Sequence, residues 1–134
     1  MADPNDPVEL YGANSAGEVV SYSVSDGTNI PINTMLQLSG DRTASAQDGS
    51  GQIFVGVASS EKEADDSQTE IGAYTKGVFV FEADGEISEG DQVITGSSAN
   101  TVSADNAETQ EGKIVGTALE SKSDGDKVAV KINK

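Results

Sequence analysis

The eight residues GQIFVGVA (51–58) return in near copy as GKIVGTAL (112–119). A chain that repeats itself is held to a doubled architecture, because each copy must form the same local structure and bury the same apolar face. Aligning Gly56 with Gly116 and Ala58 with Ala118 sets each copy ahead of an acidic segment and then a further strand. That strand is TEIGAYT (69–75) in one half and DKVAVKI (126–132) in the other. Upstream, IPINTMLQL (30–38) answers ISEGDQVIT (87–95), with Ile30 opposite Ile87 and Leu36 opposite Val93 at an offset of 57 residues, against 60 for the glycines. A three-residue difference in a loop accounts for the drift. Each half thus reads as strand, loop, strand, acidic loop, strand, although short Val/Gly-rich runs also resemble one another by chance. Neither half is long enough to bury a core alone, so the two are expected to merge into one β body. The predicted fold is all-β: a small single-domain β-barrel or β-sandwich with internal pseudo-duplication over residues 18–134, preceded by an extended N-terminal arm over residues 1–17.

Charge narrows what such a body can do. Eight Lys and Arg against 23 Asp and Glu leave a net charge of −15, which excludes a basic nucleic-acid footprint. The carboxylates repel one another in dilute buffer, and high ionic strength relieves that repulsion, the balance expected of a protein from a salt-rich habitat. A protein that is merely acidic, or that matches an acidic face to a cationic partner, has the same composition. Cysteine and histidine are both absent, which removes thiol chemistry, Cys-ligated zinc, the commonest general base and the commonest transition-metal ligand. No apolar run approaches the 18 residues of a membrane span, and the start MADPNDPVELYG has neither a basic nor an apolar signal region. No membrane partner is therefore expected. The six aromatic residues, Tyr11, Tyr22, Phe54, Tyr74, Phe79 and Phe81, mostly sit in strand patterns and read as core.

Residues 1–7 hold two prolines and two aspartates, which resist helix and sheet. VELYG (8–12) follows, a short partly apolar strand between that leader and the loop ANSAG. Two readings stand side by side: a strand that adds to another chain's sheet edge, or an edge strand of the protein's own barrel. EVVSYSV (18–24) alternates as a half-buried strand should, and Asp26-Gly27 turns it. SGDRTASAQDGSG (39–51) reads as a polar loop of 13 residues, long enough to be mobile or used for contact. It carries Arg42, the chain's single arginine, able to hold a carboxylate bidentately beside Asp41 or on a partner, or simply to be solvated. EKEADDSQ (61–68) packs carboxylates together but lacks the glycine and the ligand spacing of a calcium loop. Asp84-Gly85 and Asp124-Gly125 read as turns in which glycine supplies positive φ. KGVFVFEA (76–83) is apolar on both faces and is the expected central strand. SADNAETQEG (103–112) reads as one or two helical turns, capped by Ser103 or Asp105 and stopped at Gly112, or as a plain loop. In the last strand Val128, Val130 and Ile132 face inward.

Carboxylates are abundant enough that close pairs are guaranteed, so their proximity signals nothing about glycoside hydrolysis. No phosphate-binding glycine loop opens a helix, no nucleophile elbow occurs, and serine lacks its usual activating base. No catalytic, cofactor-binding or metal-binding residue is expected, and the chain does not read as an enzyme.

VELYG, DGTNIPINTMLQLSGDRTAS (26–45), GQIFVGVASSEKEADD (51–66), TEIGAYTKGVF (69–79), GKIVGTALE (112–120) and DGDKVAVKI (124–132) together resemble the small capsid cement, or decoration, proteins of tailed bacterial and archaeal viruses. The resemblance runs from about residue 8 to the C-terminus and lies in the order and spacing of the segments. It implies a compact β-barrel-like protein, made in the host cytoplasm and carried on the outer surface of an icosahedral capsid. Such proteins commonly sit as homotrimers at threefold positions and fasten neighbouring major capsid protein subunits. It implies no catalytic residues and no cofactor. The heavier acidity and the proline-bearing leader depart from typical members and point toward a salt-loving archaeal host. The expected capsid contacts are Val8, Glu9, Leu10, Tyr11 and Arg42. Two other classes remain beside it: an acidic nucleic-acid mimic, which calls for carboxylates in rows rather than clustered in loops, and a β-rich adhesion or tail-fibre module, which calls for exposed aromatics or a cation site.

Overall fold

The computed structural model describes residues 8–11 and 19–134. The expected arm is therefore described only through its strand β1 (Val8–Tyr11), and the leader 1–7 lies outside the described residues. The body is all-β and consists of two rings of five strands each. The first comprises β2 (Val19–Ser23), β3 (Met35–Gly40), β4 (Thr43–Ala46), β5 (Phe54–Ala58) and β6 (Glu70–Tyr74), closed in the order β2-β4-β3-β5-β6. The second comprises β7 (Lys76–Ala83), β8 (Gln92–Thr95), β9 (Thr101–Ala104), β10 (Ile114–Ala118) and β11 (Lys127–Asn133). Its sheet runs β7-β11-β10-β8-β9, and pairing of β9 back onto β7 completes the same circuit. In each ring one contact is parallel, β2 with β4 and β7 with β9, and the rest are antiparallel.

The repeat read from the sequence is a repeat of register. Leu36 lies opposite Gly56 on β5, and Val93 opposite Gly116 on β10. Isolated bridges join Ile30 to Lys62 and Ile87 to Lys122. The paired glycines are required by close approach. A Cβ at Gly56 would collide with the Tyr74 carbonyl oxygen, and one at Gly116 with the Lys131 carbonyl oxygen; these carbonyls occupy matching places on β6 and β11. Gly56 also has φ of 148°, a conformation that side chains disfavour. The Asp-Gly turns behave as expected, with φ of 91° at Gly85 and 87° at Gly125.

Each ring has apolar contents of its own. Val24, Ile30, Leu36, Ala44, Val55, Ala58, Ile71 and Ala73 fill the first. The larger cluster of the second includes Phe79, Phe81, Val93, Val102, Val115, Val128, Val130 and Ile132, and it also takes in Met35, Phe54 and Val57 from the first half. The halves thus merge through a shared core rather than into one ring. Phe79 and Phe81 are fully buried with centroids 6.4 Å apart, and Tyr74 packs on Phe79 at 6.1 Å. Burying a side chain of this size stabilises by about 1.5–3 kcal/mol. β7 is central, as its two apolar faces predict: it pairs with β1, β9 and β11.

Two expectations need correction. The stretch 39–51 is not a structureless loop, since it contains β4, with Ala44 buried and Gln47 fully buried. Gln47 pins the two rings together: its amide nitrogen donates to the carbonyls of Gly49, Gly96 and Ser98, and its Oε1 accepts the Asn100 N–H at 2.7 Å. Beside it the Asn100 side-chain oxygen accepts the Met35 N–H, and the Gln52 N–H reaches the Thr95 hydroxyl. Between 103 and 112 the helical alternative does not form. Residues 103–104 end β9, and the only helical turn there is a 3-10 segment, Glu111–Lys113.

Candidate functional site

Four of the five expected contact residues form β1, which lies antiparallel on β7 with Val8 opposite Val80, Glu9 opposite Phe79 and Tyr11 opposite Val78. The register shifts between Glu9 and Tyr11, leaving Leu10 at the irregularity. One backbone edge of VELY is therefore used inside its own chain, the second of the two readings above. The other edge has no strand partner among the described residues.

Arg42, the fifth, is on the other ring, at the tip of the β3–β4 hairpin with φ of 50°. Its carbonyl accepts the Ser23 N–H at 2.8 Å, which ties the hairpin tip to β2. The side chain is exposed and lines a depression of about 390 Å³ with Ser21, Tyr22, Ser23, Asp41 and Glu70. Among the described residues the guanidinium makes no ion pair with Asp41. Arg42 and β1 are thus placed on different rings and do not form one site.

Beside Arg42 the edge of β2 is open. β4 pairs with β2 only at Ser23, and among the described residues no strand covers the edge from Val19 to Ser21. Val19 is 49% exposed and Val20 42%. Sequence alternation places Val20 inward with Tyr22 and Val24, so its exposure is not legible from the pattern alone.

The acidic loop after β5 serves the protein's own charge. Lys62 has a fully buried side chain, whose ammonium donates to Asp66 Oδ1 at 2.7 Å, Asp26 Oδ1 at 3.1 Å and the carbonyls of Glu63 and Asp26. Burial opposes its charge, but the hydrogen bonds and charges of Asp66 and Asp26 prevail and raise its pKa. The Asp66 carboxyl is lowered to about 2, chiefly by the Lys62 hydrogen bond and then by the Gln68 N–H. The signal that sequence reading passed over is a single lysine set inside a run of carboxylates. Asp91, in the second ring, is also lowered, by the Ser88 N–H first and then the Asn106 amide. Among the described residues no group of three or more Asp or Glu is arranged to hold a metal ion.

A family model described as phage cement protein matches residues 14–132. Among solved structures, the chain is similar to the head fibre gp8.5 N base of bacteriophage phi29, with 20% identity and a TM-score of 0.54 over 86% of this chain and 92% of that one. At that identity the likeness is one of fold. No curated protein matches the chain.

Proposed function

The chain belongs to the phage cement protein family, the capsid-associated structural proteins, and from that premise we propose that it binds the outer surface of an icosahedral head and fastens neighbouring major capsid protein subunits. The observation that carries this reading is the extent of the family match, which spans both rings. In the same reading the protein acts as a homotrimer, without catalysis and without nucleic acid, and its acidity suits a salt-rich setting. Val8, Glu9, Leu10 and Tyr11 present the outer backbone edge of β1 to the capsid, and Arg42 offers a separate charged contact from the first ring. About four backbone hydrogen bonds at roughly 0.5–1.5 kcal/mol each give a few kcal/mol per subunit, and trimerisation multiplies this through effective concentration.

Sedimentation with purified undecorated heads of the cognate virus tests the proposal. The full chain should pellet with the heads, and a chain lacking residues 1–12 should stay in the supernatant while its circular dichroism loses no more than the signal of the four-residue β1. Failure of the full chain to pellet overturns the capsid reading. Full binding by the shortened chain moves the contact away from β1, toward Arg42. Light scattering of the free protein decides the trimer.

A further inference from the structure

The two rings are equivalent strand by strand, and the equivalence reaches β2 and β7. Ser23 N–H donates to the Arg42 carbonyl as Glu82 N–H donates to that of Asn100. Val24 N–H reaches the Thr69 carbonyl as Ala83 N–H reaches that of Asp126. Val19 lies opposite Tyr74 on β6, as Val78 lies opposite Lys131 on β11. Val19 and Ser21 therefore hold the places of Val78 and Val80. On β7 those two residues carry β1 in antiparallel register; on β2 they carry no strand among the described residues. Strand alternation directs the N–H and C=O of Val19 and Ser21 to the side on which Ser23 meets Arg42, away from β6. The first ring thus offers the slot that β1 fills on the second, flanked by exposed valines.

From this, and resting on the capsid reading above, we propose that the Val19–Ser21 edge of β2 accepts an extended, cationic segment of the capsid surface as an added antiparallel strand. The occupant's backbone is set by the β1 template: an extended segment running against β2. Its charge is set by the acceptor. Asp41 and Glu70 line the adjoining depression with Arg42, and the chain as a whole carries −15. The N-terminal segment of a second copy would bring Asp3, Asp6 and Glu9 against that rim, whereas a segment bearing lysine or arginine is drawn to it. Filling this slot adds a contact at the first ring to the one at β1, and the two together hold the protein on the capsid. One molecule then holds two capsid segments, one at each ring, which is the minimum a fastening protein requires.

The absence of cysteine allows a direct test, because Ser21→Cys introduces a single thiol. The variant is fitted with a short thiol-linked photo-cross-linker, bound to undecorated heads and irradiated, and the joined peptides are read by mass spectrometry. The expected product joins position 21 to the major capsid protein. Val20→Lys, at an exposed position, should weaken head binding at least tenfold with its thermal midpoint preserved. Cross-links from position 21 only to other copies of the chain assign the slot to a second copy and overturn the proposal. So does binding of Val20→Lys indistinguishable from wild type. If the unmodified chain does not bind heads, the capsid reading itself fails, an outcome distinct from either of these.

Discussion

The two rings share strand order and register, yet they hold equivalent lysines in opposite ways. Lys62 is sealed and bonded to two carboxylates, whereas Lys122, which makes the matching bridge to Ile87, is partly exposed. Asp126 repeats the local turn of Asp66, since each carboxylate receives a backbone N–H from three residues upstream, Glu63 to Asp66 and Ser123 to Asp126, although in the strand register Asp126 holds the place of Thr69. Asp26 stands ahead of Gly27 as Asp84 stands ahead of Gly85, but the Asp84 carboxylate accepts the Ser97 N–H at 2.8 Å. Among the described residues no carboxylate forms an ion pair with Lys122, so nothing offsets the cost of burying its ammonium. The backbone plan is therefore the constrained part of the duplication, and the charge chemistry of its loops is free to diverge.

The largest effect should come from attacking what the rings have in common. Gly56→Ala places a methyl group against the Tyr74 carbonyl at a residue with φ of 148°, and a loss of about 3 kcal/mol or more is expected. Gly116→Ala meets the Lys131 carbonyl in the same way without the unusual φ, and about 2–3 kcal/mol is expected. Urea unfolding of both variants measures this, and a neutral result at either glycine would break the equivalence of the two close approaches.

Next comes what the rings do not share. Lys62→Met leaves Asp26 and Asp66 without their cation and should lower the thermal midpoint by several degrees, while Lys122→Met should barely move it. The acid limb sharpens the contrast. A carboxylate with a depressed folded pKa adds stability that is complete above its ordinary value of 3.8 and is lost as pH falls through about 2. The Asp66 contribution should therefore fade across that window in the wild type and shrink in Lys62→Met, where only the Gln68 and Glu63 N–H groups still favour the carboxylate. The raised Lys62 works in the opposite direction, with its share complete below 10.5 and lost as pH rises beyond that value. Identical acid limbs in the two proteins would show that the pair contributes nothing to folding.

The smallest and least selective effect is that of salt. Carboxylates are spread over both rings, so screening a net charge of −15 should raise the midpoint steadily into molar KCl without favouring either ring. A midpoint that stays flat or falls would remove the argument for a salt-rich setting.

What the sequence disclosed follows from which strands carry large apolar side chains. The pairings of Leu36 with Val93 and Gly56 with Gly116 were legible because Phe, Val and Ile mark β5, β7, β10 and β11, and because a carbonyl pressed against glycine admits nothing else. β4 and β9, TASA and TVSA, escaped together. They are four residues long, built largely of Thr, Ser and Ala, and they exist because their neighbours leave a strand-wide gap between β3 and β2, or between β8 and β7. Missing both, and leaving β2 and β7 outside the repeat, turned two five-stranded rings into two three-stranded halves. The expected contact residues stood out as a sticky segment and a lone guanidinium, but their separation onto different rings did not. The β2 edge was invisible because it is defined by the absence of a neighbour among the described residues, which only the comparison with β7 reveals.

Gln47 has a mechanical consequence. In the fastening role proposed above, the protein would be pulled from both rings, and a molecule made of two rings is only as stiff as the link between them. Here the link is a fully buried amide bonded to the backbone of the opposite ring at Gly96, Ser98 and Asn100, beside a core that both rings fill. Sliding one ring past the other would have to break these bonds together and open that core to water. Tension applied at one ring would thus be passed on as shear across a buried joint, and the two rings would yield as a single stiff strut rather than hinging at the link.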